Sequence, residues 1–385
     1  IFIRLVFHQK RGIMDIERGG SAQPAFPEHY RAGFVSLVGR PNAGKSTLTN
    51  ALVGQKVAIT SSRPQTTRHT IRGIVHRDDY QLILVDTPGI HRPRTLLGER
   101  LNDLVAGTLS QVDVLGFCIP ANEKIGPGDR YIASQLVASS NKPVVAIVTK
   151  SDTVGGDQLS EQLIAVQSLG EEVMSAERAD RARRATHREN RVSRSKKDNK
   201  NIPFAKGSGP SAQRRTGKNY KPTAHDGQGG WADIIPVSAV QHFQVDAVAD
   251  VLASYMPVSP PLYPEGELTD EPEATMIAEF VREAALEGAR EELPHSIAVT
   301  VEEMNFREGR SKDNPLLDVH VNLFVERESQ KYIIIGKGGS HLRKIGTQAR
   351  EQIEAMLGTR VYLNIHVKVA KEWQSDPRAL NRLGF

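Results

Sequence analysis

The stretch Gly39–Thr47, GRPNAGKST, follows the apolar run FVSLV and leads into STLTNALVG, where Leu48, Leu52 and Val53 recur at helical spacing. Gly39-x-x-x-x-Gly44-Lys45-Ser46 is a full P-loop pattern in the strand–turn–helix context that such a loop requires. Glycines let the backbone wrap closely, so that successive N–H groups face a β-phosphate. Gly39, Arg40, Pro41, Asn42, Ala43, Gly44, Lys45, Ser46 and Thr47 are therefore candidates to hold a nucleoside triphosphate. In that loop Lys45 supplies a point charge to the outer phosphates, and the Ser46 hydroxyl is a Mg²⁺ ligand. Nothing in the loop separates ATP from GTP.

Further apolar runs, YQLILVD, DVLGFCIP, PVVAIVTK and ADIIPVSA, alternate with stretches of helix length. Such runs predict a mostly parallel α/β sheet with helices on both faces. With 385 residues, 39% hydrophobic and 25% charged, the chain suffices for two or three domains and is not globally disordered. The single cysteine, Cys118, excludes an internal disulfide framework and fits a reducing, cytoplasmic compartment. No apolar run reaches the roughly 20 residues of a membrane span. Met14 is the expected start, and residues 1–30 are expected to form a flexible tail.

The formal charge of +5 is uneven. Glu177 to Pro222 contains fifteen Lys/Arg and four Asp/Glu, a net of +11, which leaves the rest with 35 against 41, a net of −6. The segment from about 176 to 230 has almost no apolar residues and is expected to be a disordered insertion, one whose charge suits RNA phosphates. No DNA partner is expected.

Three further strand ends bear on the nucleotide. Asp86, Thr87, Pro88 and Gly89 form DTPG, 41 positions after Lys45. There Asp86 is placed to hold Mg²⁺ through water, and the Gly89 amide to reach the γ-phosphate. Thr149, Lys150, Ser151 and Asp152 form TKSD. A carboxylate at Asp152 accepts from both N1 and the 2-amino group of guanine, a pair of donors that adenine lacks. Lys150 can lay its stem across the base. Ser238 and Ala239 can offer an amide to the guanine O6. Together these choose GTP. In QTTRH a mobile loop is expected to bring a hydroxyl to Mg²⁺, Thr67 by preference and Thr66 as the alternative. Ile90, which follows DTPG, cannot orient a water, so intrinsic turnover is expected to be slow. Asn42 is a candidate to hold K⁺ near the β/γ bridge. The expected catalytic set is Lys45, Thr67, Asp86, Gly89 and Asn42; the metal set is Ser46, Thr67 and Asp86.

After a Pro-rich acidic linker (261–272), residues 273–385 predict a smaller α+β domain. Gly336, Lys337, Gly338 and Gly339 make a GxxG loop that opens a helix carrying Arg343 and Lys344, as in RNA-binding KH domains. Propensity reads Tyr332–Ile335 as strand, whereas the KH pattern requires a helix there.

With GRPNAGKST, QTTRHTIRGI, LVDTPGIH, TKSD, VSA, PLYPEGELTDEP, IGKGG and the ending VKVAKEW…DPRALNRLGF, the chain resembles the Era family, bacterial GTPases of ribosome assembly. The resemblance implies a TrmE–Era-like G domain at 31–260, interrupted by the insertion, and a type II KH domain. It implies binding near the 3′ end of 16S rRNA, a role in 30S maturation and a peripheral membrane contact. Thr149 stands where the family's guanine motif has Asn, so weaker guanine binding is expected. An RNA-binding scaffold with a vestigial site and a tRNA-modification GTPase are the competing readings.

Overall fold

A computed structural model describes residues 26–60, 68, 70–89, 95–139, 142–198, 230–287, 296–311 and 313–383. Six strands form the first sheet: β1 (Arg31–Val38), β2 (Ile71–His76), β3 (Tyr80–Asp86), β4 (Val114–Pro120), β5 (Val144–Thr149) and β6 (Asp233–Pro236). Their order is β2-β3-β1-β4-β5-β6. All neighbouring pairs are parallel except β2–β3. Helices α1 (Lys45–Val53) and α5 (Val245–Ser254) cover one face, where Leu48, Leu52, Val248 and Leu252 meet Val35, Leu82 and Ile147. On the other face α2 (Leu96–Gln111), α3 (Pro127–Ser139) and α4 (Gly156–Asp198) pack Val105, Leu136 and Val166 against Phe117 and Val148. Burial on both faces is why these strands read as continuous Val/Ile/Leu runs.

Strand β2 is not among the apolar runs read from the sequence. Its burial pattern, BeBBBi, includes Gly73, where an added Cβ would fall 2.8 Å from Val53 Cγ2. Close packing of α1 on β2 therefore requires glycine there, and that glycine blurs the strand signal.

The expected disorder from about 176 is not what the chain adopts at first. Helix α4 continues to Asp198, 43 residues in all. Residues 177–198 contain neither Gly nor Pro and are rich in Ala and Arg, which favour helix without an apolar face. The rest of the insertion, the 1–25 part of the tail, Met14, Thr66, Thr67 and Ile90 lie outside the described residues.

The second sheet is β7 (Ala298–Phe306), β8 (Leu316–Val325) and β9 (Arg360–Val369), with β7–β8 antiparallel and β8–β9 parallel. One face is covered by α6 (Glu273–Glu287), α7 (Glu328–Ile335) and α8 (Ser340–Leu357) through Phe280, Ile334, Ile345 and Ile353. Residues 332–335 are helical: Ile334 is buried in this core, and tertiary packing overrides the β-branched run. The order α–β–β–α–α–β is that of a type II KH fold.

The two units are joined by more than chain. Leu97 and Leu101 of α2 pack with Trp373, Leu380 and Leu383, the last two near or on α9 (Pro377–Arg382). Residues 262–270 lie along the first sheet: the buried Gln81 side chain bonds Leu262 N, Tyr263 N and Tyr263 O at 2.7, 3.0 and 2.9 Å. Ile74 N donates to Leu268 O (2.9 Å), and Arg72 pairs with Asp270 (2.8 Å).

Candidate nucleotide site and nucleic-acid groove

The P-loop emerges from the buried end of β1. A Cβ at Gly39 would lie 2.5 Å from Cys118 O, so the approach of β4 demands glycine. Asn42 (φ 62°) and Gly44 (φ 84°) are left-handed, a conformation Asn tolerates better than other side chains. Helix α1 opens at Lys45 with no side-chain cap, so its first amides point at the loop's concave side. Lys45 Nζ donates to Gly39 O (3.2 Å) and Arg40 O (3.0 Å). Burial pushes its pKa down, and Asp86 and Cys118 pull it back up. A buried cation held by two carbonyls is a site short of negative charge.

Ser46 Oγ donates to Asp86 Oδ2 at 2.7 Å, and Asp86 is fully buried. A hydroxyl and a carboxylate at this separation, beside the phosphate cradle, fit a small hard divalent cation such as Mg²⁺. Thr87 Oγ1 donates to Leu37 O (3.1 Å), which fixes the turn after β3. Gly89 is pressed against the loop: an added Cβ would lie 2.8 Å from Pro41 N. DTPG and the P-loop are thus in backbone contact.

On the base side, β5 ends at Thr149 and a 3₁₀ turn follows, Ser151–Thr153. Lys150 is left-handed and its Nζ lies 3.9 Å from Glu123. The buried Thr149 hydroxyl donates to Ala43 O at 2.7 Å, so this residue ties the TKSD turn to the P-loop. Ser151 N donates to Val237 O (3.2 Å), which draws the TKSD turn and the Ser238 loop together. Ser238 N donates to Phe243 O (3.1 Å), and Ala239 follows it in the loop after β6. Asp152 is exposed.

In the second unit the GxxG loop turns on three left-handed glycines: Gly336 (φ 71°), Gly338 (φ 60°) and Gly339 (φ 76°). A Cβ at Gly336 would meet His341 Cβ at 2.7 Å, whereas Gly338 faces open space. Lys337 and Gly338 are exposed at the loop tip. Gly339 and Arg343 border a cavity of about 420 Å³ between α8 and β9. Lys344 is exposed and does not line it.

Residues 34–150 match the family model described as 50S ribosome-binding GTPase, and residues 292–374 match the KH domain model. GTPase Era of Streptomyces coelicolor is 55% identical over 97% of this chain and all of its own length (100%). GTPase Era of Mycobacterium avium is 56% identical over 92% of this chain and 99% of its own. The chain belongs to the Era GTPase family. Two solved Era structures are similar throughout. One holds MgGDPNP and nucleotides 1506–1542 of 16S ribosomal RNA, with TM-score 0.71 and 31% identity over 92% of this chain and 99% of that one. The other is an Aquifex aeolicus Era variant bound to GDP and AlF₄⁻, with TM-score 0.72 and 30% identity over the same shares, 92% and 99%.

Sequence reading of this Era chain missed residues that distance along the chain conceals. Arg40 of the P-loop pairs with the buried Asp129 (2.7 Å) and with Glu123 (3.1 Å). Glu123 thus stands between Arg40 and Lys150, and it braces the loop from the β4 side. In the groove, Thr347 and Arg350 continue the face of Arg343 along α8, a spacing of three and four that was available in the sequence. Tyr362 of β9 also lines it, with Arg307 5.0 Å from its ring centre.

Proposed function

We propose that this Era-family GTPase is a switch that binds the 3′ region of 16S rRNA in its KH groove and acts in 30S subunit assembly and maturation. The observation that carries it is one chain holding both a P-loop with a Ser46–Asp86 oxygen pair and a GxxG loop beside a cationic groove. The likeness to an Era that holds MgGDPNP and 16S rRNA supports joining the two. We place the first unit at 31–260 after a tail at 1–30, the linker at 261–272 and the KH unit at 273–385.

Residues 39–47 cradle the phosphates. Lys45 neutralises the outer ones, and the Gly89 amide reports the γ-phosphate. Ser46, Asp86 and Thr67 would hold Mg²⁺, which would supply positive charge to stabilise the phosphates during hydrolysis. Asp152 accepts from the guanine N1 and 2-amino groups, Lys150 lies along the base, and the Ala239 amide meets O6. Thr149 acts through Ala43, a contact that needs no amide fork. Ile90 offers no hydrogen bond to a water, so turnover by the chain alone is slow. Asn42 is assigned to K⁺: exchanging potassium for sodium should lower turnover by on the order of 10²-fold, the scale of one lost charge-stabilising contact in a preorganised site, and equal rates in both salts reject the assignment.

The groove faces extended RNA. Gly338→Asp keeps a left-handed residue in open space but sets a carboxylate where a phosphate passes. Affinity for a 16S 3′-end oligonucleotide should fall by about tenfold or more, the scale of a lost charge-assisted contact. Unchanged binding at an unchanged melting temperature removes the loop from the interface. The basic arm from 176 to 230 adds phosphate contacts, and its charge also suits an anionic membrane surface. Replacing its Arg and Lys with Gln should flatten the salt dependence of RNA binding and abolish flotation with anionic vesicles; neither change would assign the arm no partner.

A further inference from the structure

Arg40 forms a corner of the phosphate loop. Its carbonyl accepts from Ala43 N at 3.2 Å and from Lys45 Nζ at 3.0 Å. Its side chain runs to α3, where Arg40 Nε donates to Asp129 Oδ1 at 2.7 Å, across 89 residues of sequence. Asp129 is fully buried. Its other oxygen, Oδ2, accepts from Gly126 N at 2.8 Å, and Arg130 N donates to Gly126 O at 3.2 Å. Asp129 is thus the third residue of α3 and closes back on the amide that precedes the helix, one half of a capping box. The positive end of α3 adds to the hold on the carboxylate. One oxygen is therefore fixed by α3 itself, and the other is presented to the loop.

Gly128 completes the seat. A Cβ there would lie 3.1 Å from Arg40 Cδ, so the arginine stem rests on the first turn of α3. A second carboxylate, Glu123, lies 3.1 Å from Arg40 Nη2 and 3.9 Å from Lys150 Nζ. Its side chain is 43% exposed against 0% for Asp129. Water screens an exposed pair, which contributes little. Of the two carboxylates, Asp129 decides where Arg40 sits.

We propose that Asp129 is a positioning residue for nucleotide binding: through the Arg40 side chain it fixes the corner of the phosphate loop whose carbonyl holds Lys45. The inference rests on the assignment of residues 39–47 to the phosphates and names the group outside the loop that sets its shape. A loop already ordered before the ligand arrives loses less freedom on binding. That benefit is the same for the diphosphate, the triphosphate and the transition state, because the loop is ordered in all three complexes. Such uniform binding appears in Kd and KM and not in kcat.

The test compares the full-length wild type with Asp129→Asn, which keeps the size of the side chain and an acceptor for Gly126 N but removes the charge that Arg40 meets. Kd for GDP and KM for GTP should both rise by about tenfold, the low end for a hydrogen bond to a charged group, with kcat within about twofold of the wild type. Arg40→Ala should raise Kd by a similar factor, and the double variant should bind no more weakly than either single one, since all three lack the same contact. A role confined to stability would lower the melting temperature and leave Kd and KM alone. A fall in kcat alone would place Arg40 at the transition state, and additive losses would mean that the two residues act separately. Each of these three results overturns the inference. If Asp129→Asn does not fold, Gly128→Ala serves instead: its methyl group displaces the Arg40 stem, so KM should rise with kcat kept, and an unchanged KM overturns the inference. A wild type that binds neither GDP nor GTP instead overturns the assignment on which it rests.

Discussion

Replacing Lys45 with Ala should lower kcat/KM for GTP by on the order of 10²–10³-fold, the effect of removing one charge-stabilising donor from a preorganised site. The side chain is fixed before any nucleotide arrives, buried and bonded to the carbonyls of Gly39 and Arg40. Its energy of orientation is therefore already met, and its charge acts where water is scarce. The substitution should also separate catalysis from folding. Burial lowers the pKa of Lys45 below its ordinary 10.5, so the unfolded chain binds this proton more tightly than the folded one. Nucleotide-free stability thus rises with pH between the depressed folded value and 10.5, and the penalty is fully present below both. Lys45→Ala removes that penalty. Its nucleotide-free melting temperature at neutral pH should equal or exceed that of the wild type while turnover collapses. Loss of both together would mean that Lys45 holds the fold and not the phosphates.

Asp152→Asn should exchange the base preference. A carboxylate accepts two hydrogen bonds side by side, which matches the N1 and 2-amino donors of guanine. An asparagine offers one acceptor and one donor, so its NH₂ faces the 2-amino group and a donor is left against a donor. Sites that hydrogen-bond a substrate group discriminate by about 10⁴–10⁵ when that match is lost. Because Asp152 is exposed and water can relieve part of the mismatch, GTP affinity should fall by about 10³-fold. Xanthosine triphosphate, with an oxygen at position 2, should gain. Titration calorimetry with both nucleotides measures the exchange, and parallel losses for the two bases would place Asp152 away from the base edge. Thr149 is a different case. Its hydroxyl bonds Ala43 O, so its influence passes through the P-loop backbone and is shared by the two nucleotides.

The chemistry of the phosphates was plain in the sequence because every part of it is local. Gly39 to Ser46 specify turn, charge and hydroxyl within one strand–helix connection, and DTPG does so at the end of β3. The KH reading was sound against propensity because Ile334 has a core to enter. Strand β2 was hidden by Gly73, whose need arises from Val53 on another element. The helical run to Asp198 was hidden because periodicity is the usual signal and residues 177–198 hold almost no large apolar residues to carry one. Arg40–Asp129 and Thr60–Glu283 were out of reach, since 89 and 223 residues separate the partners. Charged residues are common, and nothing in either neighbourhood marks these as buried. Arg68 shows the cost of such burial: its guanidinium is pushed down to about 9 by desolvation and by Arg282, and is charged at neutral pH all the same. Glu279 and Glu326 offset part of that cost.

The segment laid along β2 has a consequence for biosynthesis. Strand β2 forms the border of its sheet, and the Ile74 amide meets Leu268 while the enclosed Gln81 amide meets 262–263. These partners are synthesised after the whole first sheet. While translation is still short of them, the border is bare, with polar groups that another nascent polypeptide can satisfy instead. A gene cut just beyond α5 would yield that bare state permanently, and its product should self-associate more than the intact chain.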